Sequence, residues 1–177
     1  MHIFLTGPVQ VGKSTIIRKT LEALQITPGG FRSVSVADLP DGAMSVYLIP
    51  AGEEAPSMTE WNRVGIRKLA RGIVKFPESF ERAGIAALRN AEGSRLILMD
   101  EVGRMESEAA QFSARILELL DGETLIFGVV QKIADTPLTN AIRKHPNVRI
   151  VEISVENREE KARAVLKLVS GVLDRTT

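Results

Sequence analysis

Residues 3–14 read Ile-Phe-Leu-Thr-Gly-Pro-Val-Gln-Val-Gly-Lys-Ser, an apolar run that leads into the pattern G-x-x-x-x-G-K-S. The apolar run predicts a buried strand, and apolar residues at helical spacing between Ser14 and Gln25 predict a helix directly after the pattern. A strand, a glycine-containing loop and a helix in this order are typical of the Walker A loop, which binds phosphate. The opening of the chain therefore predicts an α/β fold with a nucleotide site.

Each residue type in the loop meets a demand of a bound triphosphate. Gly7 and Gly12 lack a Cβ, so the backbone can curl and bring its N–H groups close to phosphate oxygens. Lys13 can place its ammonium between the β- and γ-phosphates, and the Ser14 hydroxyl suits Mg²⁺, which itself bridges phosphate oxygens. The N-terminus of the helix adds a partial positive charge. We therefore predict that nucleotide is bound by Gly7, Pro8, Val9, Gln10, Val11, Gly12, Lys13, Ser14 and Thr15.

The size and composition of the chain indicate one globular domain covering residues 1–177. Hydrophobic residues make up 44% and charged residues 25%, and the formal net charge of +1 gives no basic field for nucleic acid or anionic lipid. No apolar run approaches the length of a membrane span, so we expect neither nucleic acid nor a membrane as a partner. Because the chain has no cysteine and no signal-peptide pattern, the expected location is the cytoplasm.

Further apolar runs and helical patterns alternate along the rest of the chain. Continuous apolar runs predict buried strands at residues 94–99, 124–130 and 148–153, as in a parallel sheet. Helical spacing of apolar residues predicts helices at residues 78–91, 105–120, 137–144 and 157–173. The alternation indicates an α/β fold with a mainly parallel sheet.

The stretch between residues 30 and 50 departs from this alternation. Two strand-like segments, 31–37 and 43–49, flank a turn-rich link, which predicts an inserted antiparallel ribbon. From residue 50 to residue 77 prolines and glycines interrupt every pattern, so the sequence predicts no regular element there.

The apolar run Leu96–Met99 is followed at once by Asp100 and Glu101. In a parallel sheet the carboxyl ends of the strands face the same crevice as the phosphate loop, so we expect Asp100 near Ser14 and its Mg²⁺, as in a Walker B motif. Glu101 is the candidate base, because a carboxylate on the γ-phosphate side can polarise an attacking water and take its proton. Ser14 and Asp100 are thus the predicted metal residues, and Lys13 and Glu101 the predicted catalytic residues.

Two residues after the acidic pair complete this half of the predicted site. Gly103 allows a tight turn out of the strand, and Arg104 stands where a guanidinium can reach phosphate charge. Without the phosphate loop, a charged pair at a strand end is more often a solvated turn. The loop upstream favours the functional interpretation for Asp100 and Glu101.

With both motifs identified, the chain resembles the family of small P-loop nucleoside-triphosphatases that includes a thermophilic bacterial NTPase and the human cancer-related nucleoside-triphosphatase. The resemblance rests on Gly7–Ser14, Gly30-Phe31, Val64-Gly65, Asp100–Glu106 and Glu156-Asn157-Arg158. It implies a three-layer α/β/α sandwich and slow Mg²⁺-dependent hydrolysis of several nucleoside triphosphates with broad base selectivity. It also implies that the phosphate loop and the strand ending in Asp-Glu line the site.

The chain departs from the family pattern in two places. Residues 66–76 carry extra basic side chains where relatives have a shorter link, and Gln131-Lys132 follows a predicted strand where relatives often have small or apolar residues. A catalytic role for Lys132 is therefore not implied by the resemblance.

Several other side chains have both a binding and a structural interpretation. Arg158 could reach the base or the phosphates from the first turn of the last helix, or form a surface ion pair. Phe31-Arg32 could contact a nucleotide or a second substrate, although an aromatic residue in a ribbon usually packs in the core. For Trp61 packing is favoured over base stacking. His2 and His145 have no ligand-spaced partners, so we predict structural roles.

Three functions fit these residues. The leading hypothesis is an NTPase that acts on ATP, GTP and other triphosphates with Mg²⁺ as cofactor. The alternatives are a kinase of a small molecule or nucleoside, in which Glu101 serves the acceptor, and a nucleotide-dependent switch. The sequence does not identify the oligomeric state.

Overall fold

The strands form one mixed sheet in the computed structural model, which describes residues 1–68 and 72–175. Their bounds are β1 His2–Thr6, β2 Gly29–Val36, β3 Met44–Pro50, β4 Arg63–Lys68, β5 Gly72–Lys75, β6 Leu96–Val102, β7 Leu125–Val130 and β8 Val148–Glu152. The order across the sheet is β5-β4-β3-β2-β6-β7-β1-β8. Strands β2, β6, β7, β1 and β8 pair in parallel, and β2 to β5 pair antiparallel.

Helices cover both faces of the sheet. Their bounds are α1 Lys13–Leu24, α2 Pro77–Ser79, α3 Ile85–Arg89, α4 Ala110–Leu120, α5 Pro137–Lys144 and α6 Arg158–Leu173, with a π-helical turn, Phe80–Gly84, between α2 and α3. Phe4 of β1 packs in the core on the side of α3, α4 and α5, whereas Ile3 and Leu5 pack on the side of α1 and α6. The predicted three-layer α/β/α sandwich is therefore confirmed. In the part of the chain that the model describes, no helix is both long and apolar enough to cross a membrane.

The antiparallel part of the sheet is larger than the predicted ribbon. The ribbon itself is present as β2 and β3, but residues 50–77, for which no element was predicted, also contain β4 and β5. These strands are short and carry glycines and basic residues, so their alternation is too brief to be recognised in the sequence. Residues 69–71 of this stretch lie outside the described residues.

The helix predicted from residue 105 begins only at Ala110. Residues before it form turns, because the side chain of Glu106 accepts a hydrogen bond from the Gly103 N–H group and Ala109 has a non-helical backbone. The carboxylate of Glu81 then accepts hydrogen bonds from the N–H groups of Gln111 at 2.9 Å and Phe112 at 2.8 Å. A side chain from the π-helical turn therefore caps α4 where its own N-terminal residues do not.

Candidate nucleotide site

The phosphate loop joins β1 to α1 and depends on glycine at both of its ends. Gly7 has φ +142°, and a Cβ at this position would overlap the carbonyl oxygen of Ile153 in the connection after β8. Gly12 has φ +106° and immediately precedes α1. Residues that carry a Cβ rarely adopt these backbone conformations, so the curled loop that the sequence predicts requires glycine at both positions.

Lys13, in the first turn of α1, is held over the loop. Its side chain is buried, and Nζ donates hydrogen bonds to the carbonyl oxygens of Gly7 at 3.1 Å and Pro8 at 2.6 Å. Burial lowers the pKa of this ammonium, while the carboxylates of Glu101 and Asp100 act in the opposite direction. The loop thus holds a partly desolvated cation that can exchange carbonyl oxygens for more strongly charged phosphate oxygens.

Asp100 and Ser14 meet as predicted, although β7 lies between β1 and β6 in the sheet. Both residues line one cavity, and the Ser14 hydroxyl lies near enough to the Asp100 carboxylate to influence its pKa. Burial raises the pKa of Asp100 to about 6, and the negative charge of Glu101 adds to this, whereas the nearby Ser14 hydroxyl and the cations Lys13 and Arg32 lower it. Removing the charge of the Asp100 carboxylate from water costs free energy, and a cation bound beside it would offset that cost.

Glu101 is oriented by a residue from the neighbouring strand end. Gln131 directly follows β7, and its amide Nε2 donates a hydrogen bond to Glu101 Oε1. Gly103 leaves room for this amide, because a Cβ there would overlap it. Arg143 of α5 donates to the carbonyl oxygen of Gln131 at 2.5 Å and of Ala134 at 2.9 Å, so the segment that carries Gln131 is itself fixed.

Glu101 and Lys13 face a cleft of about 620 Å³, which we call the phosphate-loop cleft. Its lining residues are Gly7, Pro8, Val9, Gln10, Gly12, Lys13, Ser14, Thr15, Arg67, Ile73, Glu101, Arg104, Gln131, Lys132 and Ile133. Besides Lys13, two cations of the cleft have close partners: Arg104 Nη2 donates to the Ile133 carbonyl at 2.9 Å, and Lys132 Nζ lies 2.5 Å from a Glu152 oxygen. The geometry thus joins the predicted phosphate loop to the predicted base in one cleft.

A second cavity, of about 770 Å³, lies on the other side of Ser14 between α1 and the end of the β2–β3 ribbon, and we call it the α1 cavity. Its lining residues are Ser14, Thr15, Ile17, Arg18, Leu21, Glu22, Gln25, Ile26, Thr27, Pro28, Arg32, Ala51, Gly52, Glu53, Glu54, Leu98 and Asp100. Arg32 Nη2 donates to the Glu53 carbonyl oxygen at 3.0 Å. Ser14 and Thr15 line both cavities, so the two spaces adjoin at the start of α1.

Three predicted binding residues do not line either cavity. The Val11 side chain is only 4% exposed and packs in the core, so the backbone is what this residue can offer a phosphate. Gly103 lies behind Glu101 against Gln131. Arg158 is the exposed first residue of α6, and the structure does not bring it to either cavity.

The side chains with two interpretations are placed as follows. Phe31 is buried and packs on Phe112 with ring centroids 5.3 Å apart. Trp61 is half-exposed beneath the guanidinium of Arg82 and lines neither cavity. His2 is buried between backbone groups: Nδ1 accepts from the Ile126 N–H group at 3.1 Å, which leaves Nε2 to donate to the Leu120 carbonyl at 2.9 Å. These contacts are structural.

Sequence reasoning missed Gln131 and Arg67. A polar residue directly after β7 was a usable signal for Gln131, because the carboxyl ends of parallel strands share one crevice. No such signal pointed to Arg67, because β4 was not predicted as a strand.

A strand, a phosphate loop, a helix and an acidic pair in this arrangement define a P-loop nucleotide-binding protein. The chain belongs to the NTPase family, whose sequence model matches residues 2–166. The predicted family, and with it the class of P-loop NTPase enzymes, is thereby confirmed.

Individual relatives match along most of their length. The "Cancer-related nucleoside-triphosphatase homolog" of Mus musculus is 28% identical over 189 residues, covering 96% of this chain and 97% of the relative. "Nucleoside-triphosphatase THEP1" of Thermotoga petrophila is 27% identical, covering 94% and 91%. The crystal structure of THEP1 from Aquifex aeolicus superposes with a TM-score of 0.73 at 23% identity, covering 95% of this chain and 98% of that one, so the fold is shared.

Proposed function

We propose that this protein hydrolyses nucleoside triphosphates to the diphosphate and phosphate, with Mg²⁺ as the metal and Glu101 as the base that activates water. The observation that carries the proposal is that the buried Lys13 ammonium and the Gln131-oriented Glu101 carboxylate face one cleft, beside the Ser14–Asp100 pair. The names of the similar proteins, which call them nucleoside-triphosphatases, support the same activity.

The oxygen atoms beside the loop fit Mg²⁺. This ion prefers oxygen ligands and is usually held by one or two protein groups together with waters and substrate phosphates. Ser14 offers a hydroxyl and Asp100 a partly buried carboxylate, and both residues line the α1 cavity. When bound, Mg²⁺ would neutralise charge on the β- and γ-phosphate oxygens.

The reaction follows from the positions of the two catalytic residues. Lys13 would leave the loop carbonyls and bind the β- and γ-phosphates. A water attacks the γ-phosphorus in line, forming a new P–O bond while the bond to the β,γ-bridging oxygen breaks, and its proton passes to the Glu101 carboxylate. Gln131 holds that carboxylate in place, so little reorganisation is needed.

The phosphate contacts favour broad nucleotide use, including ATP and GTP. Loop backbone, Lys13 and Ser14 all address the phosphates rather than the base. The cleft rim also presents the exposed aliphatic side chains of Val9 and Ile133, which can contact any base face without hydrogen-bond selection.

Glu101→Gln tests the role of Glu101 as the base. With Mg²⁺ and ATP or GTP, wild-type protein should release phosphate without an added acceptor, and chelation of the metal should stop the release. The variant should bind nucleotide in calorimetry but turn over about 100-fold or more slowly, the usual contribution of a general base. The control is Glu123→Gln, which changes an exposed carboxylate just before the start of β7, at the end of the strand that lies away from the site. Unchanged turnover in Glu101→Gln would remove Glu101 from this role.

The α1 cavity supports a kinase as the second candidate. It has room for a small molecule and borders Asp100 and Ser14, so a hydroxyl-bearing compound held there would lie beside the metal position. Phosphate transfer to such a compound, with no phosphate release in its absence, would favour this function over hydrolysis.

A further inference from the structure

Arg67 reaches the phosphate-loop cleft from the antiparallel part of the sheet. In the β4–β5 hairpin it stands opposite Ile73, and both residues line the cleft together with Lys13 and Glu101. The carboxyl ends of parallel strands therefore do not supply all of the charge in this site: β4 contributes one further cation.

The guanidinium of Arg67 is held more loosely than the other surface cations of the cleft. Its ion-pair partner is Glu101, with Nη2 3.9 Å from Oε1, which is too long for a hydrogen bond. Over residues 1–68 and 72–175 its side chain makes no hydrogen bond. By contrast, Arg104 donates to a carbonyl oxygen at 2.9 Å, and Lys132 pairs with a carboxylate at 2.5 Å.

We propose that Arg67 is a catalytic residue that contacts the γ-phosphoryl group as it is transferred, acting as an arginine finger supplied by the chain itself. This inference rests on the proposed hydrolysis. If Glu101 takes the proton of the attacking water, its carboxylate lies one water away from the γ-phosphorus, and a guanidinium beside it is within reach of the equatorial oxygens.

Electrostatics favour this exchange of partners. The pair of Arg67 and Glu101 is partly solvated, with side chains 41% and 28% exposed, so their attraction is weak and easily replaced. A γ-phosphoryl group carries more negative charge than one carboxylate, and a planar guanidinium can donate two hydrogen bonds to it. Arg67 thereby stabilises the transition state rather than the folded protein.

The test compares Arg67→Gln and Arg67→Lys with Lys68→Gln, which changes the neighbouring exposed cation that does not line the cleft. Arg67→Gln should lower kcat about 100-fold or more while affinity for a non-hydrolysable ATP analogue changes by less than about threefold. Trapping of ADP with aluminium fluoride and Mg²⁺, which mimics the transferred group, should be lost. Arg67→Lys should recover part of the activity, and Lys68→Gln should match wild type.

The same measurement in the Glu101→Gln background separates a catalytic role from an indirect one. If Arg67 contacts the phosphoryl group, adding Arg67→Gln weakens aluminium fluoride trapping further; if it only orients Glu101, trapping does not change, and the proposal is overturned. Wild-type phosphate release tests the hydrolysis independently. Release by wild type together with unchanged kcat in Arg67→Gln would overturn only the role of Arg67.

Discussion

Replacing Glu106 by glutamine should remove a loss of stability that wild-type protein shows as pH rises. Glu106 is 3% exposed, and its carboxylate accepts a hydrogen bond from the Gly103 N–H group in the turn after β6. Burial raises the pKa of Glu106 from 4.5 to about 7, against the opposing effect of the Gly103 hydrogen bond. The negative charge of Glu101 raises this pKa slightly further, and the positive charge of Lys75 lowers it slightly. Glutamine keeps an oxygen that can accept the same hydrogen bond but carries no charge.

The direction of this pH dependence follows from the pKa of Glu106 in the folded protein and in the unfolded chain. The pKa of this group is higher in the folded state than in the unfolded chain, so between about pH 4.5 and pH 7 the folded protein binds more protons than the unfolded chain does. Stability is therefore complete below the unfolded pKa and falls as pH rises toward the folded pKa. The difference between 4.5 and about 7 corresponds to roughly 3 kcal/mol, of which about 2.5 kcal/mol is lost between pH 5 and pH 8.

Urea unfolding of wild type and Glu106→Gln across this pH range measures the effect directly. The variant should become more stable than wild type with increasing pH, by about 2.5 kcal/mol over the range, because all other titrations are common to both proteins. Glu123→Gln controls for the removal of one negative charge at an exposed position. A difference between wild type and Glu106→Gln that stays constant with pH would show that burial does not penalise the Glu106 charge.

Two further substitutions test the phosphate loop and the support of the base. Lys13→Ala should weaken triphosphate binding in calorimetry about 10- to 100-fold, because a charge-assisted contact is lost. Thermal stability should stay nearly unchanged, because burial already penalises the ammonium. Equal affinity would contradict the assignment of the loop. Gly103→Ala should lower turnover at least about tenfold, because the new methyl group displaces the Gln131 amide from Glu101. Wild-type turnover in this variant would show that the Gln131 contact is dispensable.

The phosphate-binding half of the site could be predicted because its chemistry is local in the sequence. Gly7, Gly12, Lys13 and Ser14 lie within eight residues of one another, and Asp100 directly follows the apolar run of β6 that is evident in the sequence. The rule that parallel strands end at one edge then brings Asp100 to Ser14 without knowledge of the strand order. The prediction that Asp100 and Ser14 lie close together required only that rule.

Arg67 and Gln131 required information that the sequence pattern does not contain. Gln131 meets Glu101 because β7 is the neighbour of β6, a fact of strand order that no local pattern specifies. Arg67 enters the cleft because β4 lies between β3 and β5 in the sheet, and these short strands carry no pattern that predicts them. The N-terminal cap of α4 is likewise non-local, because Glu81 of a different segment supplies the hydrogen-bond acceptors.

The arrangement of Asp100 and Glu101 explains how two adjacent carboxylates can have different tasks. Asp100 lines the α1 cavity together with Ser14, while Glu101 lines the phosphate-loop cleft and accepts a hydrogen bond from Gln131. Burial makes the Asp100 charge costly until a cation is present, which suits a metal residue. The Glu101 side chain is 28% exposed and has an amide and a guanidinium beside it, so in the proposed reaction it is placed to accept a proton from water. In the proposed reaction, the two groups occupy different surroundings, so metal binding and water activation would not compete for one carboxylate.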